Sequence, residues 1–374
     1  MKPEEMQNLT LFDLIARSWD LETEVSMGCF NDDETVVGFS SPGGRVTLIP
    51  LGDEEPPHSR VRISGDLGKA TISPRDKAIP TPIIVDGLGD TSPLIGAMPD
   101  ANFVAGLSDG RLILIAPDGS FSELGHKLGG AVTSLRTDGA SGKVICSDGD
   151  RVLLFDTENE GQNIEGIEPQ SVNSLGFSPT GKLFGIGGNS GLTVYSFENG
   201  DAVKTISFDG VPTSAVFSPD EAWVSCPLKT SGCALIRLDD ETVTILSDYP
   251  AKVETAAWSK SQNAFATSGA FRVAAWSMDS PPIDGDTSGA LETGRPGLVA
   301  VTTVATNPVS DFIAVGYENG QVMLAKIGQR DELILHTASS KICSLFWTKD
   351  GKQLAFASTD GLCAVVHFPP QMFK

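Results

Sequence analysis

Short apolar runs alternate with polar turns along the whole chain. In one representative stretch the apolar runs occupy residues 172–177, 182–187, 192–197 and 202–208. Val, Ile, Phe, Tyr and Thr dominate these runs, whereas Gly, Asn, Asp, Ser and Pro dominate the breaks between them. This composition favours short β-strands joined by tight turns over helices.

The runs recur with a period of about forty residues, which is the range of arrays built from supersecondary units. The last residue of the first run serves as an anchor in each copy. The gaps between successive anchors are 39, 40 or 41 residues, except for two longer gaps of 68 and 48. The eight anchors are Phe30, Met98, Thr137, Phe177, Phe217, Trp258, Thr306 and Trp347.

Four short antiparallel strands per copy predict an all-β fold, in which residues 1–374 form a single closed β-propeller. Eight copies predict eight blades, and seven blades is the alternative if one copy is misread. A solenoid of the same strands would need polar capping repeats at both ends, and none is visible in the sequence.

The first run of each copy carries a further pattern. Ser or Thr occupies its third position in six of the eight copies: Ser134, Ser174, Ser214, Thr255, Thr303 and Ser344. Phe-Ser-Pro follows in the fourth and fifth copies. These features resemble the WD40 repeat family over nearly the whole chain. The resemblance implies a propeller that acts as a rigid, non-catalytic platform for other proteins.

The resemblance is degenerate. The Gly-His of the family occurs only at Gly125-His126, and its Trp-Asp pair appears only in altered form, at residues 155–156, 195–196 and 276–277. In the family, hydrogen bonds among His, Ser or Thr, Asp and Trp hold each blade together. Here apolar packing between the sheets must therefore replace most of these bonds. The scarcity of Trp-Asp pairs and of lysine resembles bacterial members of the family.

Three segments depart from the repeat, and the shortest is an insertion within residues 278–298 that explains the gap of 48 residues. Residues 11–18 are apolar and lie before the first copy, and we predict that they form the missing outermost strand of the last blade, beside residues 362–368. An amphipathic helix over residues 4–19 is the alternative.

The second segment is an insertion at residues 51–81, between the third and fourth strands of the first blade. An insertion of this length is typical of a functional loop.

Residues 60–77 of the insertion carry an excess of positive charge on a chain whose net charge is −21. Such a cluster predicts docking of an acidic partner segment or a phosphate group. The alternative is that these side chains pair with the protein's own acidic surface. The candidate partner-binding residues are Arg60, Arg62, Lys69, Arg75 and Lys77.

Other classes of function find little support. The sequence contains none of the common catalytic motifs, no metal-ligand spacing and no run long enough for a membrane helix, so we expect no enzyme, cofactor or membrane insertion. The acidic charge disfavours nucleic-acid binding. We expect a monomer in the cytoplasm, because the six cysteines read as buried thiols, although Cys226 and Cys233 remain a possible redox pair. A small-molecule or metal-binding accessory protein and a propeller enzyme with a central-channel site are the alternatives.

Overall fold

Eight four-stranded antiparallel sheets follow one another along the chain. The computed structural model describes residues 9–63, 70–156, 162–164 and 171–370. Within each sheet the strands pair in sequence order, and we number the resulting blades 1–8 by their first strands. Blade 8 differs from the others because its outermost strand comes from the N-terminal region.

The strands of the first four blades are short. Blade 1 contains Met27–Phe30, Val36–Ser41, Arg45–Pro50 and Ile83–Val85. Blade 2 contains Leu94–Ala97, Phe103–Gly106, Arg111–Ile115 and Phe121–Lys127. Blade 3 contains Ser134–Asp138, Lys143–Ser147, Val152–Phe155 and Gln162–Ile164. Blade 4 contains Ser174–Phe177, Leu183–Gly187, Gly191–Ser196 and Ala202–Ser207.

The second half of the ring repeats the arrangement. Blade 5 contains Val216–Phe217, Trp223–Pro227, Cys233–Arg237 and Val243–Leu246. Blade 6 contains Ala256–Ser259, Ala264–Thr267, Val273–Ser277 and Ala290–Thr293. Blade 7 contains Val301–Thr306, Phe312–Tyr317, Gln321–Lys326 and Glu332–Thr337. Blade 8 contains Ile342–Trp347, Gln353–Ser358, Leu362–His367 and the N-terminal strand Ala16–Asp20.

The first strands of neighbouring blades lie side by side all the way round, and the first strand of blade 8 contacts that of blade 1. The ring is therefore closed around a central channel lined by these first strands. The prediction of an eight-bladed propeller is confirmed, and the seven-bladed alternative is wrong.

Apolar packing between adjacent sheets forms the core. Leu, Ile and Val from both faces of each sheet are buried in clusters that span neighbouring blades. The second strand of five blades also carries a phenylalanine whose side chain is fully buried: Phe39, Phe103, Phe184, Phe265 and Phe356. Sheets covered on both faces explain why the strands read as continuous apolar runs rather than as an alternation.

The N-terminal segment differs from the predicted strand 11–18. Leu11–Ile15 is a short helix, because the Thr10 side chain and Asp13 form a reciprocal capping box at its start. The strand follows at Ala16–Asp20 and pairs antiparallel with Leu362–His367. Phe12 and Ile15 are buried against blades 7 and 8, and Trp19 is buried between blades 8 and 1.

The insertion runs from residue 51 to residue 82, between the third and fourth strands of blade 1. It contains a 3-10 turn at Pro57–Arg60 and a small hairpin of Val61–Ile63 and Ala70–Ile72. We call this segment the insert. The propeller face that carries it also carries the turns between first and second strands, and we call that side the insert face.

Candidate docking surface

The basic residues of the insert do not form one free cluster. The Arg60 side chain is 9% exposed, and its guanidinium donates to the carbonyls of Glu55, Ser73 and Leu14. Arg75 makes a bidentate pair with Asp53, with N–O distances of 2.8 and 2.7 Å. These two arginines are therefore structural, so reversing their charge would disturb the insert itself.

The remaining predicted residues differ among themselves. Lys77 forms an exposed ion pair with Glu54 at 2.5 Å. Arg62 is exposed on the insert hairpin, where it is open to a partner. Lys69 lies outside the described residues. Pairing with the protein's own carboxylates thus accounts for Lys77 and Arg75.

Buried contacts fasten the insert to the N-terminal strand. Arg17, which is 3% exposed, donates to the carbonyls of Leu51 and Gly52 at 3.0 Å each, and its Nε lies 3.8 Å from Asp53. The Trp19 indole N–H donates to the Pro80 carbonyl at 2.8 Å. The insert is therefore fastened to the strand that closes the ring, and we call this set of contacts the latch.

In the latch, the Asp53 carboxylate lies beside both Arg17 and Arg75. Burial alone would raise the pKa of Asp53, but hydrogen bonds from Arg75 and the Glu55 amide, together with the charges of Arg17 and Arg75, hold this pKa below its ordinary value. Burial holds the pKa of Arg17 below its ordinary value, and the charge of Asp53 offsets only part of this effect. The carboxylate is thus ionised and paired at neutral pH.

A larger surface feature lies at the mouth of the central channel. On the insert face, blades 4–8 enclose a depression of about 670 Å³. Its floor and walls come from the ends of the first strands, which explains why the anchors of blades 5–8 all reach it. The aromatic side chains that line it are Phe217, Trp258, Phe346 and Trp347.

Hydrogen bonds between blades fix this aromatic wall. The Trp258 indole N–H donates to the Val216 carbonyl, and the Trp347 indole N–H donates to the Ala305 carbonyl, both at 3.0 Å. The Thr306 hydroxyl donates to the Trp258 carbonyl at 2.7 Å. Each bond joins one blade to the preceding one, so the wall is rigid before any partner arrives and loses little entropy on binding.

The rim of the depression consists of turn residues that follow the anchors. The exposed rim residues are Pro179, Pro219, Lys260, Pro308 and Lys349. Lys349 is held by blade 1, because its ammonium pairs with Asp32 at 2.7 Å. Lys260 has no ion pair within the part of the chain that the structure describes. A rigid apolar floor with exposed lysines among the prolines of its rim is compatible with a protein-binding patch.

The opposite face offers a smaller depression. Leu298 is 93% exposed and Phe271 is 42% exposed, and both border a shallow depression between blades 6 and 7. An ion pair between Lys341 and Glu254, at 2.6 Å, links blades 8 and 6 near the channel on this side. The sequence did not single out either face, because exposure at a turn depends on the neighbouring blade.

Chemically reactive groups are scattered in the described structure. Among the residues that the structure describes, no group of three or more His, Cys, Asp or Glu side chains is arranged to hold a metal ion. All six cysteines are free thiols. Burial raises the pKa of the Cys29 and Cys146 thiols to about 12. Within the same described ranges, no helix is both long and apolar enough to cross a membrane.

Comparison with known proteins identifies the fold. No family model matches the sequence, and no curated protein matches it significantly. Among solved structures, Sqt1 of Saccharomyces cerevisiae, a WD40 propeller protein, matches with a TM-score of 0.71 over 94% of this chain and 98% of that one. The two sequences are 12% identical, so the likeness establishes the fold alone. The chain is an eight-bladed β-propeller whose fold is similar to that of Sqt1.

Proposed function

We propose that this protein is a non-catalytic interaction platform that binds a partner protein across the channel mouth on the insert face. The observation that carries the proposal is the rigid aromatic depression of blades 4–8. Aromatic side chains in a preformed pocket supply most of the binding energy at protein interfaces. Here two tryptophans are already tied in place by hydrogen bonds to neighbouring blades.

The rim suggests which charges the partner carries at the edge of the contact. Lys260 is exposed and free of an ion pair among the described residues, and Arg62 is exposed on the insert of the same face. Both would meet acidic residues of the partner at the edge of the contact, where charges mainly tune the association rate. We further propose that the protein works as a monomer in the cytoplasm; the free thiols of all six cysteines support a reducing compartment.

A pair of matched variants tests the proposal. Lys260→Glu with Val309→Glu changes a lysine and an exposed aliphatic side chain on the insert face; Val309 is 63% exposed. Lys229→Glu with Leu298→Glu makes the same change on the opposite face. Both variants should keep the fold, since all four side chains are exposed.

The readout is quantitative affinity capture from the native cell at two salt concentrations, with circular dichroism as the folding control. We expect the insert-face variant to lose a defined set of partners, most clearly against wild type at low salt, where screening is weakest. The opposite-face variant should retain them. Loss in the opposite-face variant alone would move the docking site to the Leu298 side.

A further inference from the structure

A second depression adjoins the channel mouth on the insert face. It has a volume of about 430 Å³ and lies between blades 5 and 6. Pro219, Trp258 and Lys260 line both depressions, so the two form one continuous groove with Trp258 in their shared wall. Beyond this wall the second depression is lined by Trp223 and Met278, among others. We call it the outer depression and the one at the channel mouth the inner depression.

The apolar wall of the outer depression is preformed. Trp223, Trp258 and Met278 pack on the same buried core cluster of blades 5 and 6, yet all three side chains remain partly exposed. The Arg237 guanidinium lies 5.5 Å from the centre of the Trp223 ring, a distance at which a cation attracts an aromatic face. Asp240 holds this guanidinium with two hydrogen bonds of 2.9 and 2.6 Å. The ring is therefore in place before a partner arrives, which lowers the entropic cost of binding.

Charge along the groove changes sign. Lys260 lines both depressions, is exposed, and forms no ion pair with any residue that the structure describes. Asp220 lines only the outer depression, where its Oδ1 accepts hydrogen bonds from the Ser218 hydroxyl and the Ala222 amide. A bound segment would therefore gain from an acidic residue beside Lys260 and lose from one at the outer end.

The length of the groove follows from the spacing of the strands. The inner depression is bordered by the ends of the first strands, whereas the outer one is bordered by the starts of the second strands and, in blade 6, by the end of the third. Neighbouring strands lie about 4.8 Å apart, so the two depressions are separated by roughly 5–10 Å. An extended chain covers this distance in two or three residues, at about 3.3 Å each.

We propose that the groove binds an extended segment of the partner protein that carries two large apolar side chains, two or three residues apart, with an acidic residue between them. One apolar side chain enters the inner depression, and the other packs against Trp223 and Met278 in the outer one. The acidic residue pairs with Lys260, whose long flexible side chain reaches a carboxylate that points away from the floor. This inference rests on the proposed function and narrows it to one kind of partner, a linear segment.

Selection from a phage-displayed library of random ten-residue peptides, on the whole wild-type protein in low-salt buffer, tests the proposal. We expect the enriched peptides to share two large apolar residues at this spacing with Asp or Glu between them. A library that yields no enriched peptide, or peptides without this pattern, would overturn the proposal.

Variants then show where the selected peptide binds. The most enriched peptide, synthesised with a fluorescent label, is titrated by fluorescence polarisation with wild type, Met278→Glu, Trp223→Leu and Lys260→Glu. Ile334→Glu is the matched control, because Ile334 is 55% exposed on the outer strand of blade 7. We expect affinity to fall about tenfold or more in the three groove variants and to stay at the wild-type value in the control.

Melting curves provide the folding control for these titrations. Met278→Glu and Trp223→Leu alter the outer depression by different means, so one replaces the other if it fails to fold, and Lys260 is exposed. Wild-type affinity in the folded variants of the outer depression would show that the peptide binds elsewhere, which refutes the proposed groove.

The two proposals fail separately. Partners that are lost from the insert-face variant in the capture test, combined with a library that yields no peptide, would keep the docking site but make its occupant a folded surface. Peptides that bind the groove while the insert-face variant captures every partner of wild type would instead contradict the proposed function and leave the groove as a peptide site.

Discussion

The latch between the insert and the N-terminal strand can be tested by Arg17→Met. Methionine fills a similar volume but removes the guanidinium that binds the Leu51 and Gly52 carbonyls and faces Asp53. Because Arg17 is almost completely buried, water cannot replace these bonds. The carbonyls would then lose strong, charge-assisted hydrogen bonds.

The size of the effect follows from the contacts that remain. Removing one partner of a buried charged network costs about 3–5 kcal/mol of unfolding free energy. Asp53 keeps its bidentate pair with Arg75, so the lower end, about 3 kcal/mol, applies. An unfolding entropy of about 2.1 cal/mol/K per residue gives about 0.8 kcal/mol/K for the whole chain. Arg17→Met should therefore lower the melting temperature by about 4 °C.

Differential scanning calorimetry at pH 7 measures this shift. Arg45→Met is the matched control, since Arg45 pairs with Asp86 on the surface of blade 1, the blade that carries the insert. Exposed pairs contribute little, so the control should melt close to wild type. A melting temperature for Arg17→Met that equals that of the control would show that the insert does not stabilise ring closure.

Three further predictions concern the same elements. Deleting residues 1–20 should cause aggregation or a clear loss of thermal stability, because it exposes the edge of blade 8; a monomer with unchanged melting temperature would contradict this. The folded-state pKa of Asp53 is lowered, so the stability lost in Asp53→Asn, measured by urea unfolding across pH, should be constant from pH 7 to about 5 and disappear as the pH falls below about 3.9, through that folded pKa. Burial raises the pKa of all six thiols, to about 11 for Cys343, so iodoacetamide at pH 8 should label Cys343 before Cys233 in the native protein, as peptide mass spectrometry would show.

The sequence predicted the parts of the fold that repeat. Each copy contains its strands in the same order, so the anchors from Phe30 to Trp347 identify eight blades without knowledge of long-range contacts. The N-terminal segment was harder to predict from the sequence, because a local helix-capping signal competed with pairing to a distant strand. The Thr10–Asp13 cap begins a helix, and the partner that makes Ala16–Asp20 a strand lies at the other end of the chain.

The functional residues were harder to predict because their roles depend on neighbours outside the repeat. Arg60 and Arg75 read as a basic surface, yet their acceptors include Leu14 and Asp53, which no local pattern connects to them.

Site-specific photo-cross-linking can show whether a partner docks at the channel mouth on the insert face. A photoreactive amino acid would replace Lys260 in one variant and Lys229, exposed on the opposite face, in another. We expect position 260 to cross-link in cells to a defined partner protein that is absent from the products of position 229. Cross-linking of the same proteins from both positions, or from position 229 alone, would contradict it.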